Sequence, residues 1–452
     1  MNKESLINYS KFYLPNGIKC ILYKRNEIHS VSISVQVNVG SLDENIDNNG
    51  ISHLIEHLPF DGTQKFQSWN EIDRFNNSIS GSGNAYTSLG HTKYYGTFPA
   101  QYLEEALIYY SEIVLHPLHK DEDIKKEKDI ILDEMKRYSD QVESKVYDNI
   151  RKNRFIGENT PFSFNVIGEE NVISRFNQSQ IKKHYEEYYI PENIEIYIVG
   201  NFDDNQIKKY LERYFYENIK KRNFEKQKER QFIKSIPEYS DFRINALQKK
   251  DLDQYYLTLS FPALEKIGTN IYKRMGVPFI EKTLASSQYQ QSILWKRLRE
   301  ELGLVYGISA YDHDYYTRSM FIIQCSFNPE HLETILREIY DGVNKIKMKE
   351  VSDEIFKTRQ KRLFDTQLML LDEPSSVMDW IEEEEEELEL NNFALTIEEY
   401  MENIKKYKFE EVIETSNKIL NWDKVNIGIV SKDEPKEVES EVLNAWQKIA
   451  KS

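Results

Sequence analysis

His53, Glu56 and His57, in the run Gly50-Ile51-Ser52-His53-Leu54-Ile55-Glu56-His57, are the residues of this 452-residue chain best suited to chemistry. A helix advances about 100° per residue, which places the three within an arc of roughly 100°. Two imidazoles one turn apart can hold one zinc ion, and the carboxylate between them can reach a water on that ion without being a ligand. The order His-x-x-Glu-His inverts His-Glu-x-x-His, and both are zinc-peptidase signatures. With nine histidines present, chance alone would give the pentapeptide in roughly one or two chains in a hundred. It needs support from elsewhere.

A second segment offers it. Residues 121–138 read as an amphipathic helix with Ile124, Ile131, Met135 and Tyr138 as its apolar stripe. Glu127 and Glu134, seven apart, stack on one face at the edge of that stripe. A carboxylate beside a core face needs a partner, and a metal would supply one. Two solvated acids on a charged helix would need none.

Together these residues resemble the pitrilysin/insulinase family of zinc peptidases, the inverzincins, in particular its short two-domain bacterial type, which is similar to the subunits of the mitochondrial processing peptidase. In that family a glutamate that completes the zinc site follows the inverted motif after 76 intervening residues, and another glutamate lies seven residues before it. Here 134 − 57 is 77, leaving 76 residues between His57 and Glu134, and Glu127 stands seven earlier. The resemblance implies one Zn2+ per chain held by His53, His57 and Glu134, with Glu56 as general base. Glu127 would then be an outer support that orients a ligand.

The resemblance extends over nearly the whole chain. Phe60-Asp61-Gly62-Thr63 follows the zinc helix as the family's Phe-x-Gly-Thr does, and Tyr189-Ile190-Pro191-Glu192-Asn193 leads into a strand that closes the first sheet. Asn84-Ala85-Tyr86-Thr87-Ser88 is similar to the strand along which members lay their substrate, which implies substrate contacts from Asn84, Ala85, Tyr86 and Thr87. Leu298-Arg299-Glu300-Glu301-Leu302-Gly303-Leu304-Val305-Tyr306 resembles Leu-Arg-Glu-x-x-Gly-Leu-x-Tyr, whose arginine and tyrosine reach across to the active site. Two departures stand out. Pro59 deprives the Ile55 carbonyl of its intrahelical partner, so the helix must end early. The glycine pair that usually precedes the substrate strand is here Ser80-Gly81, with Gly83 where an apolar residue is common.

The elements that position these residues come next. Phe12–Leu14 and Ile18–Tyr23 read as strands joined by Pro15-Asn16-Gly17, and Val31–Val39 alternates with period two as a half-buried strand. Asp47-Asn48-Asn49-Gly50 is a turn cluster able to cap the zinc helix. Strands are expected again near 84–98 and 193–200, and helices near 101–115, 121–140 and 177–188. Residues 216–236 are basic and poor in apolar residues, which is linker composition, and Tyr255–Phe261 restarts a strand. The expected organisation is a zinc-bearing α+β domain over 1–215, a basic linker over 216–240 and a second α+β domain over 241–452. The resemblance implies that the two are related, each a mostly antiparallel sheet packed with helices, the second without zinc but carrying Arg299 and Tyr306. The acidic run Glu382–Glu387 reads as a solvated helix face or a lure for cationic substrate. His116 and His119 flank Pro117-Leu118 and read as ordinary loop residues.

Length favours two domains. No window approaches 18 uninterrupted apolar residues, so no membrane span is expected, and the first residues lack the hydrophobic core of a signal peptide. Cys20 and Cys325, one per domain, read as free thiols of a reducing compartment, with the cytoplasm as default. A formal charge of −16, from 75 acids against 59 bases, argues against general nucleic-acid binding and mildly favours basic peptides.

The expected function is zinc-dependent hydrolysis of short or unfolded peptides, leader or precursor segments among them. Recognition in the family resembles β-augmentation, in which an extended peptide adds to a sheet edge, and resemblance nominates Arg299 and Tyr306 to stabilise the oxyanion. A homodimer is expected, each chain supplying a zinc site and an Arg/Tyr pair. The alternatives are a heterodimer in which this chain is a dedicated maturation subunit beside a related partner, and a non-catalytic scaffold subunit.

Overall fold

The computed structural model describes residues 6–155, 161–217, 241–266, 269, 274–315 and 318–450. It divides into two compact units. The first comprises Met1–Lys136, Asn159–Gln231 and Leu368–Glu386; the second comprises Arg137–Glu158, Phe232–Gln367 and Glu387–Ser452. Boundaries drawn along the sequence miss this exchange, because residues 137–158 go to the second unit and 368–386 to the first. Of the basic stretch expected as a linker, 218–240 lie outside the described residues.

In the first unit six strands form one sheet: β1 (Ser10–Tyr13), β2 (Lys19–Lys24), β3 (Ser30–Val37), β4 (Ser82–Thr87), β5 (Thr92–Pro99) and β6 (Ile194–Gly200). Their order is β1-β2-β6-β3-β5-β4, with β2 and β6 parallel and the other pairs antiparallel. β1 and β2 turn over Gly17 at φ +102°, a conformation glycine adopts without a Cβ clash. The unit's first helices in chain order are α1 (Ile51–His57), α2 (Trp69–Ser78), α3 (Leu103–Leu115) and α4 (Asp121–Asp140). Leu54 and Ile55 of α1, Leu107 and Ile113 of α3 and Ile131 of α4 share a core with Ile33, Val35 and Tyr94 of the sheet. Pro59 acts as expected, since α1 stops at His57 and a 3₁₀ turn, Leu58–Phe60, replaces it. Tyr138, expected on the buried stripe of α4, is exposed.

The other face of this sheet corrects two expectations. Alternation in β3 predicts one wet face, yet Ser32 and Ser34 are as buried as Ile33 between them and Val31 and Val35 on either side. The helix Pro374–Asn391 supplies the cover, and the acidic run within it is not simply solvated. Glu385 is 1% exposed and meets Lys19 Nζ at 2.8 Å and Lys11 Nζ at 2.9 Å. Glu382 meets Lys93 Nζ at 2.6 Å. Three lysines on β1, β2 and β5 thus provide the counter-charges that the helix alone does not reveal. Removing one partner of a buried pair strands the other charge, at about 3–5 kcal/mol.

The second sheet holds β7 (Arg243–Gln248), β8 (Tyr255–Glu265), β9 (Val305–Asp314), β10 (Arg318–Phe327) and β11 (Asn426–Ser431) in the order β7-β11-β8-β10-β9. β7 and β11 are parallel, the rest antiparallel. Strand for strand this repeats β2-β6-β3-β5-β4, so topology carries the relationship between the halves. Helix α5 (Val142–Arg154) packs on this sheet. Asn149 Nδ2 donates to the carbonyls of Asn245 and Ile429, both at 3.2 Å, and the fully buried Arg154 donates to the Ser260 carbonyl at 2.6 Å. No helix among the described residues is long and apolar enough to cross a membrane.

Candidate metal centre

Helix α1 starts at Gly50, whose φ is +91°. A Cβ there would lie 2.6 Å from Ile173 Cδ1 and 2.7 Å from Gly168 Cα, so only glycine fits. No side chain of the turn cluster 47–50 caps the helix. Glu44 does so instead: its carboxylate accepts the Gly50 N–H at 2.7 Å, the Ser52 N–H at 2.9 Å and Asn49 Nδ2 at 3.0 Å. Side-chain acceptors satisfy the otherwise orphaned first N–H groups of a helix, and Glu44 thereby fixes the register from which His53 and His57 project. Sequence reasoning missed it because nothing local marks a glutamate so far upstream as a cap.

His53, His57 and Glu134 converge, each offering a ligand atom within 4.8 Å of the others. The imidazole centroids are 4.7 Å apart, and His57 Nε2 lies 4.0 Å from Glu134 Oε2. On the far side of the ring, His57 Nδ1 is 2.9 Å from Glu127 Oε2. That bond assigns the proton to Nδ1 and leaves Nε2 as a lone pair facing Glu134. Lys126 pairs with Glu127 at 3.2 Å and also with Asp61, so a chain of charges backs His57. Neither Lys126 nor Asp61 was singled out from sequence, although Asp61 sits inside a motif and Lys126 adjoins Glu127.

The electrostatics suit a cation. Burial, then His57, pushes His53 down to about 3, so it is neutral at pH 7. Its Nδ1 is buried without a hydrogen-bond partner, leaving no protein group to compete for it. Burial pulls His57 down too, but the bond to Glu127 and the charges of Glu56, Glu127 and Glu134 outweigh this and raise it. Although burial opposes its charge, Glu127 is held well below the usual carboxylate range by His57, Asp61 and Lys126. Two nitrogens and a carboxylate oxygen are donors zinc accepts. The residues present fit that ion.

Glu56 sits between the histidines and is 6% exposed. Thr87 Oγ1 donates to its Oε2 at 2.7 Å. Burial raises the Glu56 carboxyl, and hydrogen bonds from Thr87 with the charge of His57 oppose the shift.

Strand β4 is the sheet edge, bonded to β5 alone. Ser80 takes φ +52°, a left-handed conformation that favours glycine, and β4 forms from Ser82 all the same. Asn84 and Tyr86 are exposed and Ala85 half-buried. The Ala85 N–H donates to the Asn84 side chain at 2.9 Å. In the second unit the corresponding edge strand β9 is obstructed. The Ala310 N–H donates to the Ala285 carbonyl at 3.0 Å and the Asp312 N–H to Glu281 Oε1 at 2.6 Å. Of the two equivalent edges, β4 is the one with backbone to offer.

Arg299 and Tyr306 lie together in the second unit. Arg299 Nη1 donates to the Tyr306 carbonyl, and its guanidinium lies 4.7 Å from the Trp295 ring centroid and 5.1 Å from that of Tyr306. Tyr306 is 85% exposed. His116 and His119 stand apart from the triad, buried, with His119 edge-on to Tyr185.

Comparison with known proteins places these features. Residues 20–163 match the model of "Insulinase (Peptidase family M16)" and residues 175–363 that of "Peptidase M16 inactive domain". A Rickettsia bellii (strain RML369-C) protein named "Uncharacterized zinc protease" is 27% identical over 421 residues, 92% of this chain and 95% of that protein. A protease from Helicobacter pylori superposes with TM-score 0.82 at 18% identity, covering 94% of this chain and all of the other. The periplasmic protease PqqL from Escherichia coli gives TM-score 0.76 at 16% identity, covering all of this chain and 50% of PqqL. At such identities the two structures speak for the fold alone.

Proposed function

The chain belongs to the insulinase family, peptidase family M16, and from that premise we propose that it is a zinc-dependent endopeptidase of short or unfolded peptides. The observation that carries the proposal is the convergence of His53, His57 and Glu134 beside the buried carboxyl of Glu56. Three protein ligands are what a catalytic zinc site uses, its fourth position left open. Zinc supplies Lewis acidity there, bringing the pKa of water from about 15.7 towards 7.

The remaining roles belong to the chain. Glu127 fixes the His57 tautomer through Nδ1. Glu56 takes a proton from the attacking water and returns it to the leaving amine. A peptide adds to the β4 edge at Asn84, Ala85 and Tyr86, which favours substrates free to lend an extended strand. Arg299 and Tyr306 donate to the carbonyl oxygen as it gains charge.

A homodimer is the proposed assembly, each chain bringing a zinc site and an Arg299/Tyr306 pair. The free, buried Cys20 and Cys325 support a reducing compartment such as the cytoplasm. With an unstructured peptide as substrate, Tyr306→Phe is expected to lower kcat by about 10²–10³-fold, and light scattering should give twice the chain mass. A monomer that is fully active and indifferent to Tyr306→Phe would overturn both the pairing and the role of Tyr306.

A further inference from the structure

We infer that Thr87 is a positioning residue for the general base, holding the Glu56 carboxylate, rather than a substrate contact. The inference rests on the role of Glu56 proposed above and starts from proton accounting. A threonine hydroxyl has one hydrogen to give. Thr87 Oγ1 places it on Glu56 Oε2 at 2.7 Å. Its other hydroxyl neighbour, Thr92 Oγ1, lies at 3.5 Å and already donates to the Val39 carbonyl at 3.0 Å. The one hydroxyl hydrogen of Thr87 is therefore committed to Glu56 and is not free for a peptide.

The strand end is built to hold this position. Ser88 accepts the Ser41 N–H through its carbonyl at 3.2 Å, and the Leu89 carbonyl accepts the Leu42 N–H at 2.9 Å. The approach needs Gly40, where a Cβ would lie 2.4 Å from the Ser88 oxygen. The turn closes with the Ser88 N–H on the His91 carbonyl at 2.8 Å. With Thr87 pinned, one oxygen of Glu56 is fixed and the other is left for water. The peptide edge then ends at Tyr86. The same strand thus offers its edge to substrate and its last residue to the base, so the scissile bond and the base are set in one register.

Thr87→Val removes the hydroxyl while keeping shape and backbone, and Thr87→Ser keeps the hydroxyl. On an unstructured peptide, Thr87→Val is expected to lower kcat by about 10–100-fold, as a misplaced catalytic group does. KM and zinc per chain should stay within about twofold, and Thr87→Ser should restore most of the rate. A rise in KM at unchanged kcat would make Thr87 a substrate contact and overturn the inference. So would a Thr87→Ser rate as low as that of Thr87→Val. Crystal structures of both variants read the placement without turnover: Glu56 should leave its position in Thr87→Val and keep it in Thr87→Ser, and an unmoved carboxylate in Thr87→Val would also refute it. A wild-type protein without zinc-dependent hydrolysis would sink the proposed function, while the crystallographic arm would still decide the role of Thr87.

Discussion

Glu56→Gln is expected to lower kcat for peptide cleavage by about 10²–10⁴-fold, the share a positioned acid–base group supplies, while zinc stays at one ion per chain. The substitution is isosteric, and Thr87 Oγ1 can still donate to the amide oxygen in place of Oε2. What disappears is the basic oxygen. Glu56 makes no approach to the group formed by His53, His57 and Glu134 that would count it among the ligands, so the ion should not notice. KM should change little, because Glu56 is buried beside the triad rather than at the strand edge. A variant that loses zinc along with activity would move Glu56 into the ligand set.

Glu134→Gln is expected to act the other way round. An amide oxygen carries no charge, and His53 is already held neutral, so removing the Glu134 carboxylate takes one anionic donor from the triad. Zinc affinity should fall by more than the roughly 10–100-fold that loss of an outer partner costs, and activity should return in part as zinc is added. Competition with a chelator of known affinity measures this. Unchanged affinity in Glu134→Gln would contradict the ligand assignment. Glu127, buried behind His57, marks the contrast, since it is an outer partner by position.

The convergence of His53, His57 and Glu134 was legible because their spacing is rigid. Once 50–57 is a helix, His53 and His57 must share a face, and the seven-residue step from Glu127 to Glu134 keeps both acids on one side of α4. What the sequence could not display lies between elements distant along the chain. Glu44 caps α1 from across a turn. Lys11, Lys19 and Lys93 gather opposite Glu382 and Glu385 only after β1, β2 and β5 assemble under a helix from residues 374–391. A run of glutamates looks solvated until its lysines are found. The exchange of 137–158 and 368–386 between units escapes for the same reason, since a helix gives no local sign of which sheet it covers. Thr87 shows the subtler case: its strand was identified, but the direction of its hydroxyl depends on where α1 lies.

The most direct measurement is peptide hydrolysis by the wild-type chain stripped of metal and then titrated with zinc, with bound metal counted at each step. Activity should vanish in the stripped protein and rise in proportion to zinc, reaching its plateau at about one ion per chain, because the described residues bring together one such group of three candidate ligands, His53, His57 and Glu134. Full hydrolysis by fully metal-free protein would contradict the account at its centre.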